Sequence, residues 1–492
     1  MKRYGARRPA GALVALAAAS GLLLSGCSGG SDSGSRAGDA SYDRLGGGPA
    51  PLPAPDAPRG PGGQYDGERR EGEQDSGDVS PAPDHLSTFA LDVDTASYGY
   101  ARRTLAEGRL PDPSTVRPEE FVNSFRQDYD RPGGDGFTVT VDGARTGEKG
   151  WSLVRVGLAT RAAEPSGRRP PAALTFVIDV SGSMAEPGRL DLAKESLGTM
   201  TDRLRDDDSV ALVTFSDEAE AVLPMTGLGG NRGEIHDAID SLEPTDSTNL
   251  GAGVETGYET AVEGLREGAT NRVVLVSDAL ANTGETEADA LMEKLADRGD
   301  GHTVYVSDEQ DARKVFCEQL PRAIELTARD AKAQVAFDPG TVAAFRLVGY
   351  DNRRVADEDF RDDGVDGGEV GPGHTVTALY AVRTRPGAEG HLATATVRWL
   401  DPGSRTPHEE TGDVETGGLA GSVWRASGGL AVSATAAYFA DALRSPDHRH
   451  SALPGAPGLG ELAERAGSLA DRTEDDDVRE LAEAIRRADR LE

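Results

Sequence analysis

Asp179-Val180-Ser181-Gly182-Ser183 places one carboxylate and two hydroxyls, each two residues apart, on a single short turn. Oxygen donors of this hardness suit Mg²⁺, Mn²⁺ or Ca²⁺ and not zinc or copper. Taken alone, the pentapeptide leaves two readings open: a cation loop, or oxygens that only cap the helix that follows. Two later segments bear on the choice, because Ser247-Thr248-Asn249-Leu250-Gly251 opens a helical pattern and Ser277-Asp278 closes an apolar run. A different chemistry lies near the start, where Leu24-Ser25-Gly26-Cys27 carries a thiol behind small residues. The other cysteine, Cys317, sits in an apolar helical pattern and reads as core. Two cysteines exclude a disulfide framework, and neither lies in a CxxC or Cys/His array.

The elements that must hold these residues follow from periodicity. Leu174-Thr175-Phe176-Val177-Ile178-Asp179 is a continuous apolar run without alternation, the mark of a strand covered on both faces. Leu190, Ala193, Leu197, Met200 and Leu204 then keep helical spacing, and 210–215 and 272–278 read as further buried strands, with 220–223 as a short antiparallel return. Helices fall around 235–242 and 253–265. Alternating strand and helix predict an α/β fold with a doubly wound, mostly parallel sheet. Asp179 and Asp278 then both stand at the carboxyl ends of strands, where such sheets bind ligands.

The pattern Asp179-x-Ser181-x-Ser183, Thr248 and Asp278, in order and on these elements, resembles the von Willebrand factor type A domain with its metal-ion-dependent adhesion site. The resemblance implies a cation site lined by Asp179, Ser181, Ser183, Thr248 and Asp278. In that family the serines and often the threonine bind the cation directly, the aspartates act directly or through water, and one position stays open for a carboxylate of a partner protein. The cation is expected to be Mg²⁺, with Mn²⁺ or Ca²⁺ as alternatives. Leu91-Asp92-Val93-Asp94-Thr95-Ala96-Ser97-Tyr98 with Arg117-Pro118-Glu119-Glu120-Phe121-Val122-Asn123 resembles the leading domain of a bacterial envelope group of these proteins. Gly349-Tyr350-Asp351-Asn352-Arg353 and Gly371-Pro372-Gly373-His374-Thr375-Val376-Thr377-Ala378-Leu379-Tyr380 resemble its trailing β-rich domain.

The chain departs from the family pattern after Asp278. Ala279 stands where glycine is usual, and one helix and one strand are missing before His302-Thr303-Val304-Tyr305-Val306. The expectation is that the Val304 strand moves inward to pair with the Leu275 strand; otherwise a gap exposes the edge to a partner strand.

Met1-Lys2-Arg3 to Pro9 is basic, and residues 10–24 are uncharged and mostly Ala, Leu, Val and Gly, the layout of an export signal. Leu24-Ser25-Gly26-Cys27 resembles a bacterial lipobox, which implies cleavage before Cys27 and a diacylglycerol on its thiol. The predicted organisation is a signal peptide over 1–26, a lipidated cysteine and Gly/Ser/Pro/Asp tether over 27–85, and an α+β companion domain over 86–170. The type A domain follows over 171–320, and a β-rich domain ending in helices over 321–492. The 84 acidic against 52 basic residues, a formal charge of −32, argue against nucleic acid or anionic lipid as electrostatic partners. Asp206-Asp207-Asp208 reads as solvated charge at a helix end. No HExxH, GxSxG, Walker loop or dinucleotide fingerprint occurs. The expected function is non-enzymatic: a lipid-anchored protein on the extracytoplasmic face of the cell membrane that binds an acidic residue of a protein partner. The alternative is an envelope scaffold or assembly factor whose cation is structural.

Overall fold

The computed structural model describes residues 84–91, 94–162, 169–186, 188–277, 315–316, 320, 324–351, 353–365, 367–445 and 451–491, and the backbone of 12–18 and 302–306. Cys27, the tether, Asp278, Ala279, the helix expected after 283 and Cys317 lie outside the described residues.

The α/β domain is built on a six-stranded sheet. Its order is Ala219–Gly227, Ser209–Phe215, Ala172–Asp179, Thr270–Ser277, Ala12–Ala18, His302–Val306. Ala172–Asp179 pairs in parallel with both Ser209–Phe215 and Thr270–Ser277, and every one of its residues is buried, as the unbroken apolar run requires. Leu174, Phe176 and Ile178 face a core shared with Leu190–Arg203 and Arg232–Asp240. Val177, Val213, Phe215, Val273 and Leu275 face the helix Leu250–Glu263. That helix rides unusually close to the sheet, because a Cβ on Gly257 would stand 2.3 Å from a Val177 methyl and one on Gly253 2.6 Å from the Phe215 ring. Only glycine permits this approach. It brings the helix start, and hence Thr248, down to the strand ends.

The segments 86–170 and 321–492 do not form separate companion domains. A five-stranded sheet runs Arg354–Val355, Leu86–Ala90, Arg329–Phe337, His391–Leu400, Pro407–Glu415, and a four-stranded sheet runs Val342–Leu347, Thr375–Thr384, Trp151–Thr160, Phe137–Arg145. Each sheet mixes strands from both segments, and Phe89, Val154, Val156, Ala333, Val335, Tyr380 and Val397 share one core. The helices Ala96–Ala106 and Pro118–Asn123 likewise share a core with Gly428–Arg444, Leu459–Thr473 and Asp476–Leu491. The α/β domain is therefore an insertion into a single two-sheet body. Periodicity reveals a strand such as Leu86–Ala90 but not its partner, and here the partner lies more than 240 residues away: Thr88 stands opposite Gln334.

The expected inward shift of the Val304 strand does not occur. Ala12–Ala18 stands between Thr270–Ser277 and His302–Val306 and pairs antiparallel with both. A buried strand must find backbone partners on both sides. Here the uncharged N-terminal segment supplies them. No described helix is long and apolar enough to cross a membrane.

Candidate metal centre

The register that pairs Ile178 with Val276 sets Asp179 beside Ser277 at the carboxyl edge of the sheet. Asp179 is fully buried. The backbone N–H of Ser181 donates to its Oδ1 at 2.8 Å and the hydroxyl of Ser277 to its Oδ2 at 2.6 Å. A buried carboxylate needs such donors to offset its lost hydration. Both oxygens thus brace the loop that follows.

That loop is held from several directions. Val180 donates its N–H to Phe215 at 3.0 Å and accepts from the N–H of Thr245 at 2.6 Å. The buried Arg189 donates to the carbonyl of Ser183 at 2.9 Å and to Glu186 at 2.9 Å. Ser181 is buried and Ser183 half-buried, and their hydroxyls share a hydrogen bond with the Oγ atoms 3.0 Å apart. The capping alternative fails on two observations. Ser181 precedes the short helix Gly182–Ala185 without a side-chain capping bond, and the helix Leu190–Arg203 begins after Arg189, not after a loop serine. A Mg²⁺ with oxygens at about 2.0–2.1 Å in octahedral geometry needs neighbouring oxygens about 3.0 Å apart. The two hydroxyls meet that spacing, and the hard donor set fits the ion.

The Thr248 loop docks beside them. Thr245 binds Val180, and a Cβ on Gly182 would stand 3.5 Å from the Thr245 carbonyl and 3.9 Å from Oδ1 of Asp246. Ser247 takes φ 69°, a left-handed conformation that a non-glycine residue adopts only when its surroundings enforce it. Thr248 follows, exposed, and Asn249 closes the loop by accepting from the N–H of Ala252 at 3.1 Å and donating its own N–H to Ser216 at 2.5 Å. Asp179, Ser181 and Ser183 are thus gathered on one loop, and Thr248 on the loop docked against it. Ser277, Asp246 and Arg189 belong to the same edge and were not singled out as site residues. A serine at the end of a buried strand, immediately before the second aspartate, was the signal for Ser277; an arginine in a loop gave none.

The acidic run Asp206-Asp207-Asp208 is not uniformly solvated. Asp208 is fully buried, accepts from Arg169 at 2.8 and 2.5 Å, and also accepts from the N–H groups of Ala172 and Arg205. Burial pushes its carboxyl upward, but these donors outweigh burial and hold it below the usual carboxylate range.

The companion motifs converge on a second buried polar group. Arg353 pairs with Asp94 at 2.8 Å, both within the core. Ser97 donates its N–H to Glu120 at 2.8 Å and accepts from the N–H of Arg117 at 2.9 Å. Glu119 lies under Gly349, where any Cβ would sit 2.0 Å from its carboxylate, so the φ of 75° there is not the only reason for glycine. Burial pushes the Glu120 carboxyl well above its ordinary range, and the neighbouring Asp94 and Glu119 push it further.

Known proteins match several parts of this chain. Residues 174–281 match the von Willebrand factor type A domain, 65–152 match a model described as von Willebrand factor, and 323–394 match "Uncharacterized protein YfbK, C-terminal". The inserted α/β domain is thus similar in sequence to von Willebrand factor type A domains over residues 174–281. Across the chain, the Uncharacterized protein YfbK of Escherichia coli (strain K12) is 33% identical over 337 residues, or 61% of this chain; the match spans 58% of that relative's length. Among solved structures, a von Willebrand factor type A protein from Catenulispora acidiphila aligns over 73% of this chain and 91% of its own, with TM-score 0.41 and 15% identity. The mussel byssus proximal thread matrix protein 1, described with a zinc-occupied MIDAS motif, aligns over 18% of this chain and 24% of its own, with TM-score 0.17 and 27% identity.

Proposed function

We propose that the protein is a non-enzymatic, lipid-anchored binding module of the cell envelope, which captures a partner protein through a divalent cation held by Ser181, Ser183 and Thr248. The observation that carries this reading is the pair of serine hydroxyls brought together at 3.0 Å on one loop, above a carboxylate braced by Ser181 and Ser277. A bound Mg²⁺ supplies an electrophilic centre able to accept one more oxygen ligand. The chain's own residues do the rest. Asp179 fixes the loop by its two hydrogen bonds, and Arg189 holds the Ser183 carbonyl. Asp278, next after Ser277 in the sequence, is the proposed second carboxylate. A net charge of −32 repels acidic ligands at long range, so capture of an acidic residue depends on the cation. Cys27 is the proposed lipid attachment, and two acyl chains suffice for stable anchoring to the membrane's extracytoplasmic face. The motif joins no nucleophile to a base, which favours binding over catalysis.

The test is calorimetric titration of the protein with Mg²⁺, Mn²⁺, Ca²⁺ and Zn²⁺, with Asp179→Ala and Ser181→Ala as controls. Saturable binding of one ion, lost in both variants, supports the site. No heat and no shift in melting temperature at millimolar ion would overturn it.

The second reading, a scaffold with a structural cation, draws on the junction between domains. Arg272 of the central sheet forms a buried ion pair with Glu369 of the two-sheet body at 2.8 Å, and Ala96 packs on the sheet's apolar face. In that case chelation lowers the melting temperature without affecting any partner.

A further inference from the structure

The strand Ala12–Ala18 carries the six-stranded sheet across a place where its two neighbours do not meet. Leu13 to Ala18 stand opposite Ser277 to Arg272, and Ala12 to Leu16 opposite Val306 to His302. Thr270–Ser277 and His302–Val306 have no pairing with each other. Yet Ala12–Ala18 lies within the segment whose composition marks it for removal at export, ahead of Cys27.

We infer that the processed protein carries a one-strand slot between Thr270–Ser277 and His302–Val306, which accepts an extended, uncharged strand of a second polypeptide, running antiparallel to Thr270–Ser277. The inference rests on the cleavage proposed above. Three observations shape the occupant. Two strand spacings of about 4.8 Å separate the walls, room for one strand and not for a helix. Residues 272–277 and 302–306 offer no acidic side chain, and Val273, Val274, Leu275 and Val276 are buried, so the slot suits small and branched apolar residues like Ala12-Leu13-Val14-Ala15-Leu16-Ala17-Ala18. Both walls run parallel to each other, so the occupant is antiparallel to both. Emptying the slot leaves one row of N–H and C=O groups on a buried strand without partners, which drives strand addition from another chain. Ser277, which braces Asp179, ends one wall, so the slot reaches the candidate metal centre.

Hydrogen exchange read by mass spectrometry tests this on the full chain carrying Cys27→Ser, which retains its leader, and on the processed protein recovered from membranes. Intact mass of the latter reports separately whether residues 1–26 are gone. In the full chain, segments covering 270–277 should exchange slowly. In the processed protein they should exchange roughly tenfold faster, while Ala172–Asp179 stays protected as a control for folding. A synthetic peptide of residues 11–19 with flanking lysines should restore protection, and the same peptide with Val14→Pro should not. Slow exchange of 270–277 in processed protein without peptide would mean that His302–Val306 closes onto it, and no response to the peptide would mean that no strand is accepted; either result overturns the inference. If intact mass shows residues 1–26 retained, the cleavage reading fails instead, and the slot is judged on a chain cut by protease between 19 and 27.

Discussion

Asn123 and Thr377, 254 residues apart, exchange two hydrogen bonds: the side-chain amide of Asn123 donates to the Thr377 carbonyl at 2.9 Å, and its oxygen accepts from the Thr377 N–H at 2.8 Å. One side chain thus behaves as a short length of neighbouring strand. Tyr350 donates its hydroxyl to the same carbonyl at 2.9 Å. Three motifs of unexplained role in the sequence meet at this point, and their role is to clasp the leading and trailing segments into one body.

Asn123→Ala removes both bonds and leaves the Thr377 N–H without its partner. The expected cost is about 2 kcal/mol, measured by urea unfolding; Asn123→Asp, which keeps only the acceptor, should recover part of it. A cost near zero would mean that water replaces the amide.

Shared sheets also predict how the chain can be cut. Residues 84–170 alone hold Leu86–Ala90 and Trp151–Thr160 without their partners Arg329–Phe337 and Thr375–Thr384, and should be unfolded by circular dichroism. Replacing 163–324 by a short Gly/Ser linker should leave the two-sheet body folded, because Gly373 binds the Arg161 carbonyl and Thr327 binds Val370 on either side of the join. An unfolded linker variant together with a folded 84–170 fragment would reverse this assignment.

Ser277→Ala removes a hydrogen bond to Asp179 while leaving both candidate serine ligands in place. Loss of such a supporting partner weakens metal sites by about 10- to 100-fold. Titration with Mg²⁺ should show that weakening with the far-ultraviolet spectrum unchanged, whereas unchanged affinity would make Ser277 irrelevant to the site.

Two carboxyls give opposite pH signatures. Glu120, raised by burial and by Asp94 and Glu119, holds its proton more tightly folded than unfolded. Its contribution is therefore complete below the ordinary carboxyl range and is lost as pH rises through the folded value. Asp208 is lowered, so its contribution is present above the ordinary range and is lost as pH falls. Unfolding free energies measured from pH 3 to 8 should show Glu120→Gln losing less stability than the native chain on the alkaline side, and Asp208→Asn losing less on the acid side. The same slope in either variant as in the native chain would remove that group from the account.

The reach of sequence reasoning can be traced through particular residues. Leu174 to Asp179 declared a buried parallel strand because apolar residues on both faces are a local property, and the spacing of Ser181 and Ser183 on a turn is local as well. The 3.0 Å between their hydroxyls was not legible, nor was the absence of capping that decides their use, since both depend on where Arg189, Thr245 and Phe215 hold the loop. Ser277 had a signal in its place before Asp278, but strand register is what sets it against Asp179.

By itself the sequence determined the main strands and helices of the doubly wound α/β domain and named the candidate ligands, because hydrophobic periodicity and turn chemistry act over a few residues. Only the tertiary structure decided that 86–170 and 321–492 are one body and that Ala12–Ala18 fills the sheet. Backbone hydrogen bonding is the same for every strand. Which strand completes which edge is settled by burial and register across hundreds of residues, and no local pattern encodes it.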